Sequence, residues 1–367
     1  MSATTEPGNI TELSSLTTAL PPSCIAFSPV QHDHVVIGTY FLEQTSPTEA
    51  NNAEPQVRKG SLLLFKLVNG ALSQLDDLPL NSGILDIAFS PHDPTLLCAA
   101  TSTGSLAFFR LTFSSLTPIH ETQVTDPKVL VLDLVFHPTR RDTIGITLST
   151  GSTSLIVLTP TFSISETIPI HTHSLEAWTL SFSPSGEALF SGADDATLHA
   201  TPLSDISPTG QTIVDRRSHT AGVTAILPLS TTSKGSILLT GSYDDKLRVL
   251  RLVPGRRTQV LAELDLGGGV WRLQFLSESP GEWCVLASCM HAGVRIVRIH
   301  FDGWEGVVDG EGDGEWELDV IGRFEKHQSM NYGSDVVPSA TDCGRRTVVS
   351  TSFYDRLVCV WEVDVPP

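Results

Sequence analysis

The sequence predicts an all-β protein: a seven-bladed β-propeller, its ring closed by an N-terminal strand that completes the last blade. Three observations carry this expectation. A Phe-Ser-Pro or Phe-His-Pro tripeptide begins at Phe27, Phe89, Phe136 and Phe182, and the last two intervals are 47 and 46 residues. Seven successive segments each hold two short apolar or alternating runs around a tight turn, from "VVIGTY…SLLLFKL" to "TVVSTSFYDRLVCVWEV". The chain has 28 Gly and 23 Pro to make turns, only 17% charged residues, and no long amphipathic helical pattern.

In chain order, residues 1–9 read as a polar, disordered tail. "ITELSSLTTAL" (10–20) is a strand with no hairpin partner beside it. The first blade carries a polar, Pro- and Asn-bearing insertion at 43–60, which stretches the first tripeptide interval to 62 residues. Blades two to four follow with "LLCAATSTGSLAFFRL", "IGITLSTGSTSLIVL" and "ALFSGADDATLHATPL". Blades five and six contribute "ILLTGSYDDKLRVLRL" and "CVLASCMHAGVRIVRI". An acidic, Gly-rich insertion at 302–320 leads to the seventh blade, which ends at its third strand, "VCVWEV". Residues 10–20 are left to supply the fourth, removing a free edge. Residues 1–367 are expected to form one domain, since a blade buries both faces only between two neighbours.

The chain of 367 residues has a formal net charge of −18. That disfavours non-specific binding to nucleic acid or anionic membrane and favours a cationic partner or substrate. Six cysteines (24, 98, 284, 289, 343, 359) lie apart in apolar surroundings with no CxxC spacing, as buried thiols in a reducing compartment. The N-terminus lacks a signal-peptide core and no apolar run is long enough to span a membrane. A cytoplasmic protein, monomeric, is expected.

The repeating unit resembles the WD-repeat family, in which a His enters the blade, an Asp marks the turn between second and third strands, and Trp-Asp ends the third. His173, His219 and His327 precede Asp195, Asp244 and Asp355 by 22, 25 and 28 residues. The Trp-Asp dipeptide is absent, and only Trp361-Glu362 comes near it.

A closer resemblance lies in an ordered set: "EAW" (176–178), "SGADD" (191–195), "HTAGV" (219–223), "TGSYDD" (240–245), "GGGVWRL" (267–273), "CMHAGVRI" (289–296), "SMNYGSD" (329–335) and "SFYDRLVCVW" (352–361). The set resembles the WD-repeat diphthine methyl ester hydrolases over roughly residues 170–361. Earlier residues match only as generic blades. The resemblance implies hydrolysis of a methyl ester on a modified histidine of elongation factor 2, beside a trimethylammonium group, giving diphthine and methanol in diphthamide biosynthesis. It implies no cofactor. Most WD-repeat propellers are non-catalytic interaction platforms, and that is the alternative.

A quaternary ammonium donates no ordinary hydrogen bond and is held by aromatic faces and carboxylates. The motif loops offer Glu176, Trp178, Tyr243, Asp244, Trp271, Tyr332, Asp335, Tyr354 and Asp355 for that purpose. Packing between blades and turn capping are the plain alternatives for each. No GxSxG, HExxH or paired Cys/His metal spacing occurs, so neither a hydrolase elbow nor a metal is expected. A histidine base remains. Aligned on the third strand, His291 takes the turn position held elsewhere by Asp244 and Asp355, either freed for proton transfer or as a structural histidine of a divergent blade. His219 is a second catalytic candidate, although its spacing also suits a blade-stabilising pair. Gly268, in "GGG", offers an unobstructed amide to an ester oxygen or makes a tight inter-blade loop. Ser288, Cys289 and Ser329 are possible nucleophiles that spacing does not separate.

Overall fold

A computed structural model describes residues 9–43, 56–232, 234–303, 314–338 and 344–365. Among these residues every regular element is a strand, and thirty strands build seven antiparallel sheets. Each sheet is one blade. The innermost strands are Pro22–Phe27, Ile84–Phe89, Val131–Phe136, Ala177–Phe182, Val223–Thr232, Arg272–Ser279 and Gly333–Val336, for blades 1 to 7 in turn. Each touches the next, and the seventh returns to the first, so the ring is closed.

The closure joins the two ends of the chain. Ile10–Thr17 pairs antiparallel with Leu357–Val365, Ile10 opposite Val363 and Thr17 opposite Leu357. The expected orphan strand therefore completes blade 7 and satisfies an edge that would otherwise be open. The tail assigned to 1–9 lies outside the described residues except Asn9, whose carbonyl accepts the Asp364 amide at 3.4 Å.

The tripeptides mark where each inner strand stops. Phe27, Phe89, Phe136 and Phe182 are last residues of their strands. The next residue caps the turn: Ser28 Oγ accepts the amides of Val30 and Gln31, and Ser90 Oγ those of His92 and Asp93. His137 Nδ1 does the same work, accepting from Thr139 and Arg140. The Ser-to-His exchange thus keeps a side-chain acceptor over the turn amides.

Two insertions are shorter than expected. Most of 43–60 lies outside the described residues, but Arg58–Val68 is already strand, paired to Phe41–Leu42. The outer strand of blade 6 is Trp316–Phe324, so 316–320 belongs to the sheet rather than the insertion. Trp316 stacks on Trp283 at 5.8 Å and packs on Phe301 at 4.5 Å, which pins the strand's start.

The core lies between blades. Trp361 of blade 7 is fully buried and stacks 4.7 Å from Phe324 of blade 6, with rings within 7°. Its indole N–H donates to Ser350 Oγ at 3.0 Å. The same hydroxyl meets His327 Nε2 at 2.7 Å, so the one Trp near a Trp-Asp signature anchors a buried polar chain. Cys24, Cys98, Cys284, Cys289 and Cys359 are buried and free, and Cys343 lies outside the described residues.

Candidate functional site

In blades 1 to 5 the inner strand begins with the same irregularity. Pairing slips by one residue between Pro22 and Cys24, Ile84 and Asp86, Val131 and Asp133, Ala177 and Thr179, and Val223 and Ala225. A bulge re-aims the residue it leaves unpaired. Those residues are Ser23, Leu85, Leu132, Trp178 and Thr224. Trp271 and Tyr332 stand at the matching place just ahead of the inner strands of blades 6 and 7. The next position along, Cys24, Asp86, Asp133, Thr179, Ala225, Arg272 and Gly333, forms a ring around a central cavity of about 330 Å³.

Large aromatics occupy the mouth on the side of blades 4, 6 and 7. Trp271 is the hub: its ring centroid lies 5.4 Å from Trp178, 5.8 Å from Tyr243 and 5.0 Å from Tyr332. Tyr243 comes from a blade 5 turn and covers the place where its own blade offers only Thr224. Tyr332 meets Phe353 edge-on at 5.5 Å, and Phe353 meets Tyr40 and Tyr354. Acidic groups sit among the rings. Trp178 Nε1–H donates to Asp194 Oδ1 at 3.4 Å. Burial pushes the Tyr243 phenol up, and the nearby Tyr332, Asp194 and Glu176 push it further. The result is a shallow aromatic cup edged by carboxylates. Such a surface attracts an organic cation by the ring quadrupoles and charge, at roughly 0.5–2 kcal/mol per ring.

Below the rings, charge crosses the cavity. Arg272 of blade 6 donates to Asp86 of blade 2 at 2.7 Å and to Asp133 of blade 3 at 3.3 Å. Asp133 also accepts the Leu134 and Leu180 amides at 3.0 and 2.9 Å. Asp86 has only one long amide contact, from Leu134 at 3.4 Å. Side-chain exposure is 2% for Asp133, 10% for Asp86 and 32% for Arg272, so Asp86 and Arg272 face the open space. Burial pushes the Asp86 carboxyl well above its ordinary range; Arg272 opposes the shift and Asp133 adds to it.

The structure sorts the expected residues. Glu176, Trp178, Tyr243, Trp271 and Tyr332 come together in the cup. Tyr354 stands at its outer rim, 69% exposed. His291 is exposed in the blade 6 turn and forms no hydrogen bond or ion pair with another described residue. Its neighbour Met290 bridges to Asn331 and abuts Gly269, so the turn lies between the segments that carry Trp271 and Tyr332.

Other expectations need correction. Asp244 is spent on the scaffold, accepting both Arg248 terminal nitrogens at 2.9 Å and the Thr220 amide. Burial would raise its carboxyl, but Arg248 and Thr220 hold it far below the usual range. Asp355 caps its turn by accepting the Gln328 amide. Asp335 lines the cavity deeper than the cup and accepts from the Phe27 and Val336 amides and Gln274. His219 is buried against Thr240 Oγ1 at 2.9 Å, and burial, then Arg248, push its ring down to about 4. A neutral ring sealed inside a blade touches no substrate in the cup. A Cβ on Gly268 would meet the Cys289 carbonyl at 2.4 Å, so this glycine serves a close backbone approach to the 289–292 turn. Ser288 bonds Ser334, and burial pushes the Cys289 thiol up to about 12. Ser329 Oγ accepts the Tyr354 amide.

His171, His173 and His199 offer ring nitrogens within 4.8 Å of one another. The His173 and His199 rings stack at 4.0 Å, 28° from parallel, so their in-plane lone pairs run side by side instead of converging on one ion. Ser191 Oγ ties His171 and His173 together at 2.5 and 2.8 Å, a hydrogen-bonded arrangement.

Sequence reasoning missed Asp86, Asp133 and Arg272. A signal existed for the first two: each lies three residues before the Phe of a tripeptide, where the other two copies carry Cys24 and Thr179. Asp194, in "SGADD" (191–195), joins the cup through Trp178.

Comparisons with known proteins agree with the architecture. The WD domain, G-beta repeat pattern matches residues 163–200, spanning the outer strand of blade 3 and most of blade 4. The chain is 30% identical over 348 residues to a Schizosaccharomyces pombe protein named diphthine methyltransferase, covering 93% of this chain and 94% of that one. It is 27% identical over 414 residues to a Saccharomyces cerevisiae protein of the same name, covering 96% and 98%. The likeness therefore runs well beyond the motifs of the second half. Among solved structures, a chain of the mitotic checkpoint complex superposes with a TM-score of 0.68 over 100% of this chain and 95% of its own, at 13% identity, a likeness of fold.

Proposed function

Because the chain belongs to the diphthine methyltransferase family, we propose that it hydrolyses the methyl ester of diphthine methyl ester on elongation factor 2. The products are diphthine and methanol, and the reaction is a step of diphthamide biosynthesis. The observation that carries this reading is the cup around Trp271, with rings at 5.0–5.8 Å and Glu176 and Asp194 beside them. A trimethylammonium group fits aromatic faces edged by carboxylates, and the ester beside it then reaches the cavity. The chain as a whole, at −18, suits a basic partner surface.

The relatives' name describes methyl transfer, whereas hydrolysis passes the acyl group to water. Hydrolysis is favoured here because the described residues are all strand and turn. The glycine-rich strand-to-helix turn that cradles nucleotide-type methyl donors has no counterpart among them. We assign His291 the exchange of protons between site and solvent, since it stands exposed at the rim beside the cup. A translation factor as substrate carries with it a cytoplasmic setting.

The test is methanol release from purified full-length protein and methyl-esterified factor, with nothing else added. Release at catalytic turnover is expected. No release, together with methyl incorporation from an added sulfonium donor, would establish transfer instead. Stable capture of the factor with neither reaction would point to a binding platform.

A further inference from the structure

We propose that Asp86 and Arg272 form the reacting centre: Asp86 takes the proton of the attacking water, and Arg272 receives the charge that develops on the ester oxygen. The inference rests on the ester-hydrolysis reading and adds to it the groups that break the bond.

Geometry comes first. In the substrate the ester carbonyl is bonded to the carbon that bears the ammonium. A cation seated on Trp271 therefore puts the carbonyl within a few ångströms of the residue that follows, Arg272, whose side chain points into the cavity. Across the same space Arg272 holds Asp86 at 2.7 Å. His291 stands outside this cavity in solvent, where a water nucleophile and a dry pocket are not available together.

The two carboxylates on Arg272 differ in surroundings. Asp133 accepts two short amide bonds besides Arg272 and is sealed. Asp86 has few donors and opens on the cavity. That exposure and shortage of donors leave Asp86 as the carboxyl able to exchange a proton with a molecule in the cavity. The other ionisable groups around Asp86 are Cys24 of blade 1 and Cys98 of its own blade, with Asp335 farther round the cavity. Burial pushes both thiols up, Cys24 to about 12, so they stay uncharged and Arg272 and Asp133 dominate the field at Asp86.

The steps balance. A water oxygen bonds the ester carbon as its proton passes to the Asp86 carboxylate, and the carbonyl π pair moves onto oxygen against Arg272. The tetrahedral species then re-forms the carbonyl, the bond to the methoxy oxygen breaks, and Asp86 returns its proton to that oxygen, releasing methanol. Arg272 keeps an anionic partner throughout, first Asp86 and then the oxyanion, so no charge is stranded in the cavity. Collapse leaves the product as its carboxylic acid, which gives its remaining proton to a water; the carboxylate so formed meets Asp86 and Asp133 and is repelled outward.

Asp86→Asn tests this with unchanged shape. The expected result is a fall in kcat of about 100-fold or more, KM within about threefold, an unchanged Tm, and loss of the acid limb of the kcat–pH profile. Activity within about threefold of wild type, or an unaltered profile, overturns the inference while leaving ester hydrolysis standing. If the variant does not fold, the wild-type profile decides: kcat that climbs to a plateau as pH rises supports it, and a flat profile overturns it. Wild-type protein that releases no methanol overturns the hydrolysis reading itself, and this centre with it.

Discussion

His291 occupies in blade 6 the place that Asp244 holds in blade 5. Each lies four residues before a strand arginine, Arg295 or Arg248, and these face Ala287 and Thr240 across equivalent hairpins. Asp244 grips Arg248 with two bonds of 2.9 Å. Arg295 turns instead to the carbonyls of Leu266 and Ala292 and to the Glu325 carboxylate. The scaffold has been rewired around this position, and His291 carries none of its hydrogen bonds.

His291→Ala should therefore fold as well as the parent, with Tm changed by no more than about 2 °C, as for a surface substitution. Methanol release should fall in dilute buffer and recover when imidazole is added, since a small base in solution can exchange the same protons. A loss that imidazole does not restore would remove the relay role.

Trp271→Ala should raise KM by about twofold to 30-fold, because the cation loses the central ring of the cup, at roughly 0.5–2 kcal/mol per aromatic contact. Trp271→Phe should lie between. An analogue with a neutral tert-butyl group in place of trimethylammonium should bind wild type weakly and the Ala variant no worse. Equal loss for both ligands would mean that Trp271 only shapes the mouth.

His327→Ala should lower stability by about 1–3 kcal/mol, by leaving the buried Ser350 hydroxyl short of a partner. His327 Nε2, Ser350 Oγ and Trp361 Nε1 form one chain at 2.7 and 3.0 Å. Denaturant melts of the two proteins read this directly. His327 contacts Ser350 and Phe324 and none of the cup's rings, so KM should stay put.

Stability should fall as pH drops from about 6.5 toward 4. Burial holds His171 near 3 and His199, His219 and His327 near 4. Unfolded histidines titrate near 6.5. Between those values the unfolded chain binds more protons, so stability rises with pH through the window and is complete above it. Asp195, held near 2 chiefly by Thr197 and the Ser174 amide against burial, contributes above its ordinary 3.8 and loses that contribution below it. Asp86 and Asp335, both raised by burial, act in the opposite sense above 3.8, but are outnumbered by the rings. Tm measured from pH 7 to 4.5 should decline steadily; a flat curve would contradict the neutral, buried rings.

Local patterning made the blades readable. The tripeptides end inner strands because an aromatic fills the inter-blade core and the next side chain caps a turn, both local requirements. Trp178, Trp271 and Tyr332 were found through motifs, and they share a position because each precedes or sits at the start of an inner strand. The cavity was not readable in the same way. Alternation tells which face of a strand a residue occupies, not which residue from a distant blade faces it. Asp86 and Arg272 are 186 residues apart in the chain, and only the closed ring brings them together. His219, Asp244 and Asp355 carry the residue types of a catalytic set, yet burial and their donors make them scaffold.

The pairing of Ile10–Thr17 with Leu357–Val365 sets an order of assembly. Thr18 and Arg356, bonded across this joint, are 338 residues apart. During synthesis the leading segment must stay unpaired until the last strand has left the ribosome, at about 5–20 residues per second. Blade 7 supplies Tyr332 and Phe353 to the mouth, so the aromatic cup cannot be finished any earlier. A nascent chain has blades but no complete mouth, and a chain cut before Leu357 would lack the strand on which Ile10–Thr17 latches.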